Sequence, residues 1–346
     1  DSLALVAAYD AQAKILLEAF PAGETDPVSA AEGEDAADDP AVWVHPTQPE
    51  KSVIFGSNKK GGIVAYDLQG SELAFYPFGN VNNVDILYDF PWGDSSLTLI
   101  GYSNRSNQSI DIQSIGANGE LMAISGGQFS VDRAKIDDVY GFCFGYDQHS
   151  QTHFAIVNGK NGMMQQFAIS MEGDSLQFAL VREYQFASQT EGMVVDAEMG
   201  FLYVGEENLG IWRLPLSPND TSAAFLLVQS GIDNKAIDFD IEGLSIYESA
   251  SEGYLFASSQ GNFSYAVFRR NPPNEYVTSF KISGNDEVDG VEETDGLALI
   301  SDSLGETFPA GIMVVQDGFN YAGDSLVPQN FKIIDWRQIE ALLSAQ

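Results

Sequence analysis

The chain has 346 residues, 44% of them hydrophobic and 12% aromatic, enough to bury a large core, and no apolar run approaches the roughly 18 residues a membrane span needs. Sixteen Lys and Arg stand against 50 Asp and Glu, a formal net charge of -34 that argues against nonspecific nucleic-acid binding and against docking on anionic lipid. Cations are the natural partners of such a chain, although acidity also serves solubility and composition does not separate the two.

Residues 1–20, DSLALVAAYDAQAKILLEAF, combine good helix formers with helical spacing of apolar residues and predict a short amphipathic helix. Residues 21–37, rich in Pro, Gly, Ala and acid, read either as a linker or as a strand that closes the last repeat against the first. Beyond them one pattern recurs: a polar or acidic pair precedes an apolar strand in DDPAVWV (38–44), NNVDILY (82–88), VYGFCFG (139–145), TEGMVVD (190–196), IEGLSIY (241–247) and TDGLALI (294–300). Aligned, these place Asp39, Asn83, Tyr140, Glu191, Glu242 and Asp295 in one register, at separations of about 44, 57, 51, 51 and 53. Each repeat continues with a second strand, a turn and a third strand, as in SVIFGSNKKGGIVAYDL and HFAIVNGKNGMMQQFAI, aromatic and β-rich runs punctuated by Gly, Asn and Asp. Six such units predict an all-β, six-bladed β-propeller over residues 26–346, with a short helical extension over 1–25. Radial closure leaves no edge that needs a partner, so a monomer is expected.

Equivalent positions in successive blades surround one axis, so a residue repeated in register becomes a ring at the mouth of the central channel. Asp38, Asp39, Asn82, Asn83, Tyr140, Glu191, Asp240, Glu242 and Asp295 would stand there. These are hard oxygen donors, suited to calcium and poor for zinc, and His45, His149 and His153 all lie outside the register. One acid beside a Gly is ordinarily a turn residue. Oxygen-rich residues coincide at six sites, and the acids among them repel one another unless protonated or neutralised, which implies bound cations. A second register follows each second strand: Lys59 and Lys60, Arg105 and Lys160, then Glu206 and Glu207, Gln260 and Asp317. One half suits phosphate oxygens and the other suits metal.

No Arg-His-Gly nucleophile motif and no P-loop occurs, and Cys143, inside the apolar run VYGFCFG, reads as a buried inert thiol. The expected chemistry is therefore phosphate-ester hydrolysis by a water whose pKa calcium lowers. A single cysteine allows no internal disulfide, and the sequence starts at Asp1 with no visible signal peptide; the expected location is secreted or periplasmic, a leader having been removed.

DAADDPAVWVHP, NKKGG, NNVDILYDFP, SNRS, DDVYGF, QTEGMVVD, DIEGL, SSQGN with SYAVF, TDG and QNFK, in that order, resemble the β-propeller (alkaline) phytases from about residue 26 to the C-terminus. The resemblance implies a calcium-dependent hydrolase of phytate, taken as its calcium complex, with several calcium ions and adjacent cleavage and affinity phosphate sites. It implies that Asp38, Tyr140, Glu191, Glu207, Asp240, Glu242 and Asp295 serve the calcium cluster, and that Asp39, Asn82 and the Val84 carbonyl serve further metal sites. Lys59, Lys60, Arg105, Lys160 and Gln260 would hold substrate phosphates, with Lys59, Arg105, Tyr140 and Glu191 closest to the catalytic step. Three features depart from the family pattern: Asp26 stands where a Glu is expected, NGKNG lacks an acid after Lys160, and NDEVDGVEETDG is unusually acidic. Two other readings remain open, a noncatalytic calcium-bound propeller that binds inositol phosphates and another propeller hydrolase such as a lactonase. The clustered cations favour a polyanionic substrate over the latter.

Overall fold

The computed structural model describes residues 2–249 and 252–346. After a helix, α1 (Ser2–Gln12), the strands group into six blades, each with its strands running from the centre outward and the outer strands of the last two blades drawn in part from the N-terminal segment. The innermost strands are Ala37–Trp43, Val81–Trp92, Val139–Asp147, Thr190–Asp196, Ile241–Tyr247 and Leu297–Ile300. Each neighbours the next, and the last neighbours the first, which closes the ring of a six-bladed propeller. Blades 2 and 3 also touch at their outer edges through one parallel pairing, Ser125 with Ser175, and so form a continuous eight-stranded sheet.

Closure uses the N-terminal segment. Gly23–Glu24 pairs antiparallel with Asn330–Asp335 as the outermost strand of blade 6, and Leu17–Ala19 adds a parallel strand to the edge of blade 5. Of the two readings of residues 21–37, strand closure is the one observed. Residues 17–24 lie on the extension side of the expected boundary at 25/26, yet they belong to blades. The N-terminal helix is shorter than the span 1–20 suggested, because Leu17–Ala19 pairs with a strand edge instead of continuing the apolar helical face.

The core lies between blades. Phe55, Ile63, Ile100 and Tyr102 fill the space between blades 1 and 2, and Cys143, Phe154, Ile156, Leu202 and Val204 do so between blades 3 and 4. Cys143 is a buried hydrophobe there, and burial pushes its thiol well above the usual range. Each large side chain buried this way stabilises the fold by about 1.5–3 kcal/mol. A C-terminal helix, α2 (Trp336–Leu343), capped by the Asp335 side chain on the Arg337 N–H, stacks Trp336 on Tyr247 at 3.6 Å. Among the described residues no helix is long and apolar enough to cross a membrane.

Candidate active site

The innermost strands of blades 1 to 5 are each bent at the mouth end by a β-bulge. In blades 1 to 5 the pairing with the second strand slips between Ala37 and Pro40, Val81 and Val84, Val139 and Phe142, Thr190 and Met193, and Ile241 and Leu244. A bulge leaves two residues opposite one and re-aims the first side chain, here toward the channel mouth. The first bulge residues are Asp38, Asn82, Tyr140, Glu191 and Glu242, with Asp295 in the same place before the shorter strand of blade 6. The ring thus contains Asp38 and Asn82, not Asp39 and Asn83, a one-position correction of the alignment by period. Where two like residues stand side by side, spacing does not show which one the bulge projects.

The second bulge position explains the recurrent glycine. A Cβ on Gly141 would lie 1.9 Å from the Glu191 carbonyl oxygen, one on Gly192 would lie 2.0 Å from that of Glu242, and one on Gly296 would meet Asp39 Oδ1 at 2.4 Å. Glycine lets the backbones of adjacent blades approach closely enough to bring their acids together. In blade 1 the position is filled by Asp39, whose Oδ2 accepts the Val84 N–H at 3.0 Å and so ties blade 1 to blade 2.

The ring residues fall into three groups. Glu191, Glu207 and Glu242 form a buried cluster whose carboxylate oxygens lie within 4.8 Å of one another. Asn82 borders it, donating to Glu191 Oε1 at 2.8 Å, and Gln189 donates to Glu207 Oε1 at 2.8 Å. Burial, opposed by the Gln189 hydrogen bond and reinforced by the charge of Glu191, pushes Glu207 up to about 7. Burial and the Glu191 charge likewise drive Glu242 well above its usual range, and burial together with Glu191 raises Asp240.

The second group surrounds Lys59, whose Nζ lies 2.8 Å from Asp35, 3.0 Å from Asp38 and 3.5 Å from Asp295. Gln260 donates to the other Asp295 oxygen at 2.6 Å. Burial raises Asp38 to about 7 although Lys59 pulls it down, and it drives Asp295 well above the carboxylate range. Burial alone would lower Lys59, but Asp38, Asp295 and Asp35 outweigh it and hold the ammonium charged.

The third group is cationic. Arg105 grips Asp138 through Nη2 at 2.7 Å and Nε at 3.3 Å, and Lys160 Nζ lies 3.7 Å from the same carboxylate. Both cations stand over the Tyr140 ring, at 5.8 and 5.0 Å from its centroid. The charge of Glu191, then burial, keeps the Tyr140 hydroxyl protonated. Asp138 had no place in the sequence reading; its only signal was the doubled acid of DDVYGF. Lys60 is half-exposed, 3.8 Å from Glu34.

Two members of the second register turn away from the mouth. Glu206 accepts from the Ser188 N–H and hydroxyl and from Trp212 Nε1, so it serves blade 4 internally. Asp317 lies 2.9 Å from the buried Lys332 ammonium, which also contacts Asp289 at 2.7 Å and Glu24 at 2.8 Å. The acidic stretch NDEVDGVEETDG therefore contributes Asp289 to an ion pair that fastens the closing strand. Asp26 accepts the Glu72 N–H at 2.8 Å.

The donor set fits calcium. It is made of carboxylate and amide oxygens, and two buried oxygens at its centre, Asn82 Oδ1 and Glu242 Oε2, receive no hydrogen bond. Buried acceptors are ordinarily satisfied, and like carboxylates this close demand a cation or protons.

Fold and site together define a propeller with an acidic, cation-demanding mouth beside a cationic patch. The model of the phytase family matches residues 1–346, and the chain belongs to that family. It is 42% identical over 321 residues to the 3-phytase of Bacillus subtilis (strain 168), covering 91% of this chain and 83% of that relative. Among solved structures it is similar to the WD40 repeats of RRP9, with 13% identity, 90% of this chain and 99% of that chain covered, and a TM-score of 0.48. A periplasmic gluconolactonase of Pseudomonas aeruginosa matches 66% of each chain at 11% identity and a TM-score of 0.43.

Proposed function

We propose that this phytase hydrolyses the phosphate monoesters of phytate, myo-inositol hexakisphosphate, and that it requires calcium held at the mouth. The observation that carries the calcium reading is the buried Glu191, Glu207 and Glu242 cluster with its unsatisfied oxygens. These three, with Asn82 and Asp240, would hold the ion, and Asp38 and Asp295 would join the set as they release Lys59. When bound, calcium neutralises the carboxylates, lowers the pKa of coordinated water and draws charge from the phosphoryl oxygens.

The chain's own residues supply the rest. Arg105 and Lys160, already paired over Tyr140, bind phosphate oxygens once a phosphate displaces the Asp138 carboxylate. Lys59, freed from Asp38, adds a third positive charge on the neighbouring side. Tyr140, its ring beneath both cations, would present its hydroxyl oxygen to the calcium cluster beside the bound phosphate. Gln260 fixes the Asp295 carboxylate, so that the acid cannot swing toward the substrate. A polyphosphorylated substrate suits this arrangement, because one phosphate can be gripped while its neighbour faces the acidic cluster. Its calcium complex is the form expected to bind, since the complex carries less charge into an acidic mouth. A protein that depends on calcium in this way works in a calcium-replete, exported compartment.

The test is phosphate release from phytate with calcium and with excess chelator. Release only with calcium supports the reading, and undiminished release in chelator overturns it. Saturable phytate binding without release would favour the noncatalytic alternative.

A further inference from the structure

The N-terminal helix belongs to no blade, yet it sits at the mouth. It packs against the short helical turn Gln260–Asn262, which carries Gln260. Gln12 Nε2 donates to two carbonyls, Phe263 at 3.2 Å and Val291 at 3.3 Å. Phe263 ends the turn that holds Gln260, and Val291 begins the segment that leads to Asp295. The edge of Tyr9 meets the Phe263 ring at 5.3 Å and 81°. One side chain of α1 thus spans the two segments whose tips meet in the 2.6 Å hydrogen bond between Gln260 and Asp295.

Those segments need holding. Phe263, Glu293 and Thr294 have φ values of 50°, 62° and 34°, left-handed conformations that non-glycine residues keep only where the surroundings impose them. An open pocket of about 630 Å³, lined by Leu5 and Ala8 of α1 and by Phe239, Phe263, Phe319 and Glu293, runs beside the helix, so its hold on these segments is confined to a few contacts. Within α1 only Ala8 is buried, so the helix contributes little to the core. What it contributes is the bridge made by Gln12, the ring contact made by Tyr9 and the pairing of the Tyr9 hydroxyl with Glu292.

We propose that α1 is a clamp that positions the Gln260–Asp295 pair and so tunes the calcium affinity of the mouth, an inference that rests on the calcium reading above. Gln12 is a positioning residue in this account, acting on the metal site through two loops, and residues that touch neither the ligand nor its holders modulate affinity by about two- to thirtyfold.

The experiment compares the wild type, Gln12→Ala and a chain lacking residues 1–13, which keeps the strand Leu17–Ala19. Calcium binding is measured by calorimetry without substrate, alongside phosphate release from phytate and calcium-free Tm. The expected result is calcium affinity about tenfold weaker in Gln12→Ala, at unchanged calcium-free Tm, with a similar or larger loss in the shortened chain. Should the shortened chain fail to fold, Gln12→Ala decides alone. Equal calcium affinity in Gln12→Ala and wild type overturns the clamp and leaves the calcium reading standing. A wild type that binds no calcium overturns both.

Discussion

The Lys59 ammonium lies 3.0 Å from Asp38, a residue its own blade projects into the mouth, and 3.5 Å from Asp295 of blade 6. In the metal-free chain it does for these acids what a bound cation would do. Lys59 therefore has two partners in prospect, the carboxylates before calcium binds and the substrate phosphate afterwards.

Lys59→Ala separates these roles. Without calcium the substitution leaves buried acids with no counter-charge, and stability should fall by about 3 kcal/mol. With saturating calcium the loss should vanish, because the metal supplies the charge. Phosphate release should nevertheless fall by about 100-fold with calcium present, since one phosphate-binding cation is gone. Denaturant unfolding with and without calcium, together with initial rates, checks all three expectations.

The raised acids fix the sign of the pH response. Asp38 and Glu207 ordinarily titrate at 3.8 and 4.5, and in the folded chain burial takes both to about 7. Between about pH 4 and 7 the folded state holds protons the unfolded state has lost, so stability without calcium declines as pH rises through that window. Calcium must displace those protons, so its affinity should increase over the same range. Calorimetric titrations at several pH values check the second trend, and unfolding curves in chelator check the first. A metal-free Tm that climbs from pH 5 to 7 would contradict the assignment.

Asp138 occupies two of the cations that substrate needs. Asp138→Asn removes its charge while keeping its shape, so Arg105 and Lys160 should bind anions more strongly. The KM for phytate should fall by about three- to tenfold and inhibition by inorganic phosphate should strengthen to match. Arg105→Ala should move both quantities the other way. Steady-state kinetics with added phosphate measures each.

Much of this architecture was legible in the sequence because a propeller writes its period into the chain. The six acid-and-strand motifs placed the blades, and the oxygen-rich residue types at one position pointed to a cation before any geometry was known. The register itself was off by one in blades 1 and 2, since DD and NN offer two equivalent candidates and only the bulge chooses between them. Asp138 went unnoticed although Asp240 and Glu293 hold the equivalent place two residues before Glu242 and Asp295, because blades 1, 2 and 4 put Ala36, Asn80 and Gln189 there and the acid does not recur around the ring. Glu206 and Asp317 shared the register of functional residues, yet Trp212 and Lys332 take them up, contacts made across strands that no spacing reveals. The role of α1 was not readable at all, for it depends on Gln12 reaching carbonyls some 250 and 280 residues away.

Phosphate release should depend on calcium held by Glu191, Glu207 and Glu242. The most direct test of this dependence is Glu191→Gln/Glu207→Gln/Glu242→Gln, a triple substitution that keeps shape and removes charge. Calorimetry should show calcium binding at this cluster lost, and phosphate release from phytate should fall to background at every calcium concentration, while the metal-free fold becomes more stable. A triple variant that no longer binds calcium there yet releases phosphate at the wild-type rate would contradict the account.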